Sequence, residues 1–368
     1  MTRMTLLSLA LATCVAGGCK KKSNEGGATG TGTATGSGPA TGAPPPAQRP
    51  SQGTLQAMPP LALPDDPDRA AKVALGNALF FDKRLSVDGS RACYSCHLNE
   101  NGTGGADPIA IGAGDKKLTR HSPVLWNLGY GKGAFYWDGR APTLEAVAKG
   151  AWAGGNMGVG EDKLEAKAAT IGKIAGYKPL FKAAFGDDAA SAERVQQALA
   201  EYMRTFVCAE TAYDKFARGD KAALSEEQQR GLDVFLGKAQ CSACHTPPHF
   251  SISLQVDGGV YFNAGVGTDK PEAEVDVGRM KVTSNATDWA AFKVPSLRDV
   301  ARTAPYFHDG SAATLADAVT YMSGAAQANK NLSALLAPKN LTDAETGDLI
   351  KVLESLTCDG KLVEPKLP

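Results

Sequence analysis

Two five-residue stretches carry residue types that can do chemistry together. Each reads Cys-x-x-Cys-His, at residues 93–97 and 241–245. This spacing is the attachment signature of c-type haem. Two thiols about one helical turn apart reach the two vinyl groups of one porphyrin, and the histidine that follows supplies the proximal ligand of the iron. The residues that would hold two haems are Cys93, Cys96 and His97, and Cys241, Cys244 and His245.

Zinc sites and redox sites also use pairs of cysteines at this spacing. A zinc site needs two further ligands, and no matching cysteine pair lies near either motif. A thioredoxin-like redox site does not need the histidine that follows the second cysteine, still less in both motifs. The two motifs therefore predict two covalently bound haem c groups.

An internal repeat follows the two motifs. Residues 135–144 match residues 306–315 around a shared Asp-Gly pair, and each half ends in a segment with apolar residues at helical spacing. Cys208 and Cys358 each lie nine residues past the equivalent leucine, Leu199 or Leu349. A disulfide between them and two separate buried thiols both remain open. The repeat predicts one haem per domain in a mainly α fold with long loops and little strand.

The second half offers a sixth ligand for its haem iron. Residues 313–322 read as a helix that packs on the haem, and Met322 lies fourteen residues after His308. A methionine on an apolar helix face is usually a core residue, but a His/Met haem has a raised potential and suits electron entry. The residue fourteen after Trp137, the repeat equivalent of His308, is Ala151, which cannot ligate iron. We therefore expect one closed and one accessible haem.

Length and charge limit the other classes of function. The chain has 368 residues, of which 43% are hydrophobic, and this is enough for two globular domains. Lysine plus arginine and aspartate plus glutamate both total 39, so no net charge attracts nucleic acid or an acidic membrane. We expect a disordered low-complexity tether at residues 20–60, a first haem domain at 61–212 and a second haem domain at 213–368.

The N-terminus, at residues 1–19, is typical of an export signal. Arg3 precedes an apolar segment, and small residues precede Cys19 as in a bacterial lipobox. This favours a lipoprotein anchored through Cys19; Cys14 is a weaker candidate, and an ordinary signal peptide is the alternative. Haem c is attached after export, so the sequence predicts a periplasmic protein held to a membrane only by its N-terminal lipid.

Taken in order, several stretches of the chain resemble the bacterial di-haem cytochrome c peroxidase family, which includes the MauG-type enzymes. The resemblance implies two cytochrome-c-like helical domains with a calcium ion between them. It also implies that a small cytochrome c or a copper protein (a cupredoxin) gives electrons to the C-terminal haem, and that hydrogen peroxide is reduced to water at the N-terminal haem. Homodimer formation is left open. The matching stretches are residues 75–86, 93–97, 135–140, 241–245, 278–283, 294–298 and 304–310.

The resemblance also assigns roles to single residues. His245 and Met322 would ligate the electron-entry haem, and His97 would hold the peroxidatic haem. Trp137 matches the tryptophan between the two haems, a role compatible with that of a buried core aromatic. Thr303 and Pro305 match backbone ligands of the calcium ion.

Several positions depart from the peroxidase pattern. Residues 111–114 read Ile-Gly-Ala-Gly where many members have Ile-Gly-His-Gly, so the switchable distal histidine is missing. Val147 stands at the distal glutamine, and Asn156 stands at the distal glutamate that moves a proton during peroxide cleavage. Asparagine donates hydrogen bonds but cannot carry that proton. The residues that could replace the acid are Glu145, Glu161 and His121.

His121 itself has two interpretations, and so does His249. His121 stands where many members have asparagine beside the calcium ion, which favours a structural or near-calcium role over distal catalysis. His249 is expected at the surface or at a haem propionate.

Three functions are open. The leading one is a peroxidase that uses a soluble electron donor. The second is a MauG-like oxidase of a partner protein, which the missing distal histidine favours and Met322 disfavours, with the neighbouring Tyr321 as an alternative ligand. The third is a non-catalytic electron-transfer or sensor protein, which the loss of polar groups at Val147 and Asn156 favours.

Overall fold

Helices make up nearly all regular structure in residues 55–368, the part of the chain that the computed structural model describes. The expected signal peptide, Cys14, Cys19 and the tether up to residue 54 lie outside the described residues. The α-helices of the described part are α1 Arg69–Phe81, α2 Leu144–Ala153, α3 Leu164–Gly172, α4 Tyr177–Phe185, α5 Ala192–Arg204, α6 Ala212–Ala217, α7 Glu226–Leu236, α8 Met280–Thr283, α9 Leu315–Thr320 and α10 Asp343–Glu354.

The remaining regular structure is short. One antiparallel pair joins β1 Tyr261–Phe262 to β2 Phe292–Lys293, with Tyr261 opposite Lys293. The predicted mainly α fold with little strand is therefore confirmed. None of the described helices is long and apolar enough to cross a membrane. The 3-10 turns are Lys83–Leu85, Cys93–Ser95, Ala113–Asp115, Leu128–Tyr130, Glu161–Lys163, Cys241–Ala243, Ile252–Leu254, Glu272–Glu274, Ala286–Asp288, Val300–Arg302 and Ala334–Leu336.

Each half is built on one close crossing of two helices. Helix α1 packs against α5, and α7 packs against α10. Both crossings need a glycine, because a Cβ atom at Gly76 would lie 2.0 Å from the Ala198 carbonyl oxygen and one at Gly231 would lie 1.9 Å from that of Asp348. The glycines bring one helix axis close to the next and place both pairs against the haem motifs.

Capping residues set where several helices begin. Residues 225–228 and 342–345 have the sequence pattern of a capping box, and both boxes form: Ser225 accepts a hydrogen bond from the Gln228 amide, and Thr342 accepts one from the Glu345 amide. The pair Asp66-Pro67 is typical of a helix start, with proline at the first helical position, but helix α1 begins at Arg69. The carboxylate of Asp66 accepts a hydrogen bond from the Asp68 amide, and this turn delays the helix by two residues.

Two main hydrophobic clusters form in the described chain. The first contains buried residues of α1 to α5, together with Cys208, Cys358 and Leu362. The second contains buried residues of α6, α7, α9 and α10. The division of the chain at residues 212 and 213 therefore remains a reasonable prediction, with the C-terminal end crossing back to the first cluster.

The two ends of the described chain each pack on the opposite half. Met58 is buried, and its amide donates a 2.9 Å hydrogen bond to the carboxylate of Asp214. Asn99 pairs with the backbone of Leu362 through two hydrogen bonds of 2.8 and 2.9 Å. Packed structure therefore begins before residue 61, and residues after 358 lie on the first half.

A disulfide joins the ends of the two repeats. Cys208 and Cys358 are bonded, 150 residues apart in sequence, and both are buried. The Asn127 side chain accepts a hydrogen bond from the Cys208 amide, and the Asp299 carboxylate accepts one from the Cys358 amide. The repeat relates these two hydrogen bonds to each other. The bond between the two sulfur atoms resolves the choice between a disulfide and two separate thiols in favour of the disulfide.

Candidate active site

A single large cavity runs between the two Cys-x-x-Cys-His motifs. Its volume is about 1440 Å³, and all six motif residues line it. Residues of α2 and of the Trp137 turn contribute from the first half, and β2 and the segment after α9 contribute from the second half. The cavity thus faces both proposed proximal histidines.

The first motif presents its histidine in a fixed orientation. Residues Cys93–Ser95 form a 3-10 turn, and His97 follows it. His97 Nδ1 lies 2.9 Å from the Thr103 carbonyl oxygen, which can only accept a hydrogen bond. The proton is therefore on Nδ1, and Nε2 keeps the lone pair that an iron needs. Burial lowers the pKa of His97 to about 4, so the ring is neutral.

The second motif repeats this arrangement. Residues Cys241–Ala243 form the turn, and His245 Nδ1 lies 3.2 Å from the Phe250 carbonyl oxygen and 3.1 Å from that of Pro295. Burial lowers the pKa of His245 to about 4. Both histidines therefore present a neutral Nε2, which is the form that ligates haem iron.

The motif cysteines do not have the properties of thiolate sites. Burial raises the pKa of the Cys93 thiol to about 12 and that of the Cys241 thiol to about 11. Reactive cysteine pairs have lowered pKa values instead. Within residues 55–368, no group of three or more His, Cys, Asp or Glu side chains could hold a metal ion. The half-buried thiols and the oriented histidines fit haem c. In the haem-loaded protein these thiols would be the sulfurs of the thioether bonds.

The two halves differ at one repeat-related position on the cavity wall. Ala151 in α2 and Met322 after α9, which the repeat pairs, both line the cavity. The predicted helix over residues 313–322 is shorter: Thr314 caps α9, and residues Tyr321–Ala325 form a π-helical turn that contains Met322. Such turns are frequent at functional sites.

Tyr321 is engaged elsewhere. Its hydroxyl donates to the Ala264 carbonyl at 3.3 Å and accepts from the Gln327 amide at 3.1 Å. Its ring packs on Phe307, with 5.2 Å between the centroids. The hydroxyl is therefore occupied, and Met322 lines the cavity whereas Tyr321 does not, which favours Met322 over Tyr321 as the ligand.

Trp137 lies on the cavity wall between the motifs and is held from both sides. Its indole N–H donates a 2.8 Å hydrogen bond to the His121 carbonyl oxygen. Its own carbonyl accepts a 2.8 Å hydrogen bond from the Lys293 amide. The edge of the ring faces its repeat equivalent His308, with 6.4 Å between the centroids. The side chain is therefore fixed where the two halves meet.

His121 is buried beside the first motif. Its Nδ1 lies 2.8 Å from the Asp107 carbonyl oxygen, so this nitrogen carries the proton. Its amide donates a 2.7 Å hydrogen bond to the His308 carbonyl. Burial lowers the pKa of His121, so the ring is neutral near pH 7 and its Nε2 is a hydrogen-bond acceptor.

The residues at the positions that depart from the peroxidase pattern and the acids expected to replace the missing one fall into two groups: those that line the cavity and those that do not. Val147 and Asn156 line the cavity. Glu145 and Glu161 do not line the cavity, so they are wrong as replacement acids. Glu145 binds Arg204 at 2.6 Å. Glu161 is largely exposed and pairs with Lys149. Of the substituted positions, those on the cavity wall thus offer an amide and an apolar group.

The 111–114 segment, which would carry a switchable histidine, is fixed against the loop after α2. The Ala113 amide donates a 3.0 Å hydrogen bond to the Asn156 carbonyl. A Cβ atom at Gly112 would lie 2.0 Å from the Gly155 carbonyl oxygen. Ala113 is buried in this contact and offers only a methyl group.

Thr303 and Pro305 line the same cavity as His121. Calcium prefers oxygen ligands, and the backbone carbonyls of these two residues are oxygen donors. The imidazole of His121 is a nitrogen donor, which suits calcium poorly. A calcium ion here would therefore depend on carbonyl oxygens and water.

Two features of the site come from contacts that the motifs do not indicate. Arg120 joins the halves through hydrogen bonds of 2.7 Å to Asp138 and of 2.6 and 2.8 Å to Asp276. Burial alone would raise the pKa of both carboxyl groups, but Arg120, together with Arg140 at Asp138, outweighs it and holds both pKa values below the usual value. The repeated Asp-Gly pair, which includes Asp138, is the one signal in the sequence that could have indicated the Arg120 cluster. The second feature is Lys293, which lies on the cavity wall.

His249 is buried, which corrects the expectation that it lies at the surface. Only 9% of the residue is exposed, and its ring packs edge-on against Tyr130 at 5.0 Å. The reason is that Tyr130 comes from the other half of the chain, so the sequence around His249 does not indicate the contact.

The comparisons with known proteins agree with this geometry. The model of the di-haem cytochrome c peroxidase family matches residues 70–222. The chain is 35% identical over 339 residues to cytochrome-c peroxidase IdrP1 of Denitromonas iodatirespirans, covering 85% of this chain and 89% of that protein. It is 36% identical over 300 residues to methylamine utilization protein MauG of Methylorubrum extorquens, covering 81% of each.

A solved structure shares the fold over nearly its whole length. A MauG-like protein associated with microbial copper homeostasis superimposes with a TM-score of 0.73 at 28% identity, covering 86% of this chain and 97% of that one. The fold, the two oriented histidines and the identity to curated relatives agree. The chain therefore belongs to the di-haem cytochrome c peroxidase family, and it is an oxidoreductase of the cytochrome-c peroxidase type with two haem c groups.

Proposed function

We propose that this protein reduces hydrogen peroxide to water at the haem held by His97. The electrons come from a small periplasmic cytochrome c or cupredoxin and enter at the haem held by His245. The single observation that supports this most is the difference between the repeat positions Ala151 and Met322. Both line one cavity, but only Met322 carries a side chain that can ligate iron.

Haem iron, when bound, supplies the one-electron and peroxide chemistry. The chain supplies orientation and access. The hydrogen bonds from Nδ1 of His97 and His245 to carbonyl groups hold each Nε2 toward the cavity. On the open side of the first site, Val147 and Ala151 are too short or too apolar to ligate iron, so peroxide has access to it.

Asn156 is the polar group that we expect to contact peroxide. It lines the cavity and is only partly buried. Its amide can donate a hydrogen bond to a peroxide oxygen, which orients the molecule. It cannot carry a proton between the two oxygens, so the proton comes from water or from a neighbour such as His121, whose neutral Nε2 can accept and release one.

We expect Trp137 to couple the two haems. Its indole is fixed by His121, and its backbone is fixed by Lys293 of the other half. An aromatic ring held between two redox groups shortens the distance over which an electron must pass. The carbonyl oxygen that accepts the hydrogen bond from the indole N–H is not a base, so the proton stays on the ring.

The other parts of this proposal concern location and ions. The leader and Cys19 support export and a lipid anchor. The residue match at Thr303 and Pro305 supports calcium between the halves. The two hydrophobic clusters support a first domain that carries the peroxide site and a second domain that carries the electron-entry site.

The test is a steady-state assay of haem-loaded protein with peroxide and a reduced cytochrome c or cupredoxin. We expect turnover, and we expect Trp137→Phe to lower it at least about tenfold, equivalent to about 1.4 kcal/mol. Trp289→Phe is the matched control, because Trp289 is buried in a separate small cluster and does not line the cavity. Absence of turnover with every donor would contradict the proposal and favour a non-catalytic electron-transfer or sensor role.

A second candidate function is the MauG-like oxidation of a residue on a partner protein. The buried Ala113 in place of a switchable histidine favours it, because an open iron needs no prior reduction. Met322 and the occupied hydroxyl of Tyr321 weigh against it. A long-lived oxidised state shared by both haems after peroxide addition, without turnover of small donors, would favour this candidate over the peroxidase.

A further inference from the structure

Lys293 places a positive charge on the wall of the cavity. It belongs to β2, opposite Tyr261 of β1, and its amide is bonded to the Trp137 carbonyl at 2.8 Å. Its charge is close enough to His245 to lower the pKa of that imidazole. The side chain therefore lies on the side of the second haem, next to the contact with Trp137.

The amine of Lys293 has no acidic partner among the described residues. The hydrogen bond that it makes is long, 3.5 Å to the carbonyl of the adjacent Val294. Two other cations of the cavity wall have partners: Arg120 binds two carboxylates, and Lys339 donates to Gln240 at 3.0 Å. The lysines at positions 116, 117 and 281 also line the cavity, but they are exposed to solvent. Lys293 is thus a cation whose partner the described chain does not supply.

A lone ammonium group in such a place is costly. Lys293 is half-buried. Its partial removal from water without a compensating anion destabilises the charged form and lowers the pKa to about 8. Cations are buried in proteins when an anion or several acceptors meet them. The occupant of this cavity brings such anions, because each haem c carries two propionate carboxylates.

We propose that Lys293 binds a propionate of the haem held by His245 and raises the reduction potential of that haem. Lys293 would be a positioning residue, because it would act through the haem. A fixed positive charge stabilises the reduced, less positive iron, and it does so strongly where little water screens it. The Lys293 amide also donates a hydrogen bond to the Trp137 carbonyl, so a propionate held by Lys293 would be bound close to the Trp137 backbone. The inference rests on the two haem c groups of the family and on the assignment of His245 and Met322 to one haem, not on peroxide reduction.

The test is a spectroelectrochemical titration of both haems in the full haem-loaded protein, without peroxide or donor. Lys293→Met should lower the midpoint potential of the His245 haem by at least about 59 mV, a tenfold change in its one-electron equilibrium, and should move the other haem less. Lys293→Arg keeps the charge and should retain most of the potential. Lys132→Met is the control, because the Lys132 side chain is 52% exposed and does not line the cavity.

Two results would overturn the proposal. One is a Lys293→Met protein with both haems bound and potentials equal to those of wild type and Lys132→Met. The other is an equal shift of both haems, which would mean that the charge acts on the whole cavity and not on one propionate. If the Lys293→Met protein does not take up both haems, the midpoint potentials of Lys293→Gln are compared with those of Lys293→Arg. Equal potentials, or an equal shift of both haems, would overturn the proposal in the same way. Loss of peroxidase activity alone would not bear on it, since the potentials are measured without turnover.

Discussion

Asn156 and Ala151 are the residues that, in the proposed function, face peroxide at the first haem. Both line the cavity, and neither side chain offers an acid or an iron ligand. The proposal therefore describes an open site without an acid, and two substitutions test these properties separately. One adds the acid, and the other closes the site.

Asn156→Glu should increase the rate of peroxide cleavage. A carboxyl group in this position can move a proton between the two oxygens, and general acid–base catalysis contributes roughly 10²- to 10⁴-fold. We expect a gain at the low end of that range, measured by stopped-flow mixing with peroxide. Asn156→Gln is the control, because it has the same length without the acid. Equal rates in the two variants would show that Asn156 does not face the peroxide.

Ala151→Met should close the first haem. The repeat equivalent Met322 carries a thioether at this position, so a methionine here would compete with peroxide for the iron. We expect peroxide turnover to fall by about tenfold or more. Ala153→Met, in the same helix but away from the cavity wall, should leave turnover near wild type. Similar turnover in both variants would contradict the assignment of Ala151 to the distal face.

Among the elements, the crossing of α7 and α10 gives the sharpest test of packing. Gly231→Ala should lower the free energy of unfolding by about 1–3 kcal/mol, because the new methyl group overlaps the Asp348 carbonyl. Gly347→Ala, in the same helix pair, meets nothing within 4 Å and should raise it by up to about 1 kcal/mol. Urea unfolding followed by circular dichroism measures both. A neutral Gly231→Ala would show that the helices can separate without cost.

Much of this architecture could be predicted from the sequence, because its signals are local. The Cys-x-x-Cys-His spacing, the capping boxes at Ser225 and Thr342 and the matched Asp-Gly pairs each depend on neighbours in the chain. The repeat also identified Cys208 and Cys358 as equivalent positions, although it left open whether they are bonded.

The remaining features could not be predicted, because they depend on contacts between distant residues. Arg120 meets Asp276 across 156 positions, and Lys293 holds Trp137 across a similar span. The π-helical turn at Met322 and the burial of His249 also come from packing that no local pattern indicates. Such contacts are decided by tertiary structure, which overrides local preference.

For the whole molecule, the disulfide and the crossed chain ends hold the two halves together. Replacing both Cys208 and Cys358 by serine should lower the free energy of unfolding by about 2–5 kcal/mol, because the bond closes a long loop in the unfolded chain. Urea unfolding of haem-loaded protein measures the change. Stability within about 0.5 kcal/mol of wild type would mean that the Arg120 cluster and the terminal segments suffice.

The central claim is that the two irons differ in access, since Met322 closes one and Ala151 leaves the other open. Electron paramagnetic resonance of the resting ferric protein tests it most directly. We expect one low-spin and one high-spin centre in equal amounts, and Met322→Ala should convert the low-spin signal while leaving the other unchanged. Two low-spin centres at rest, or a low-spin signal that persists unaltered in Met322→Ala, would contradict the account.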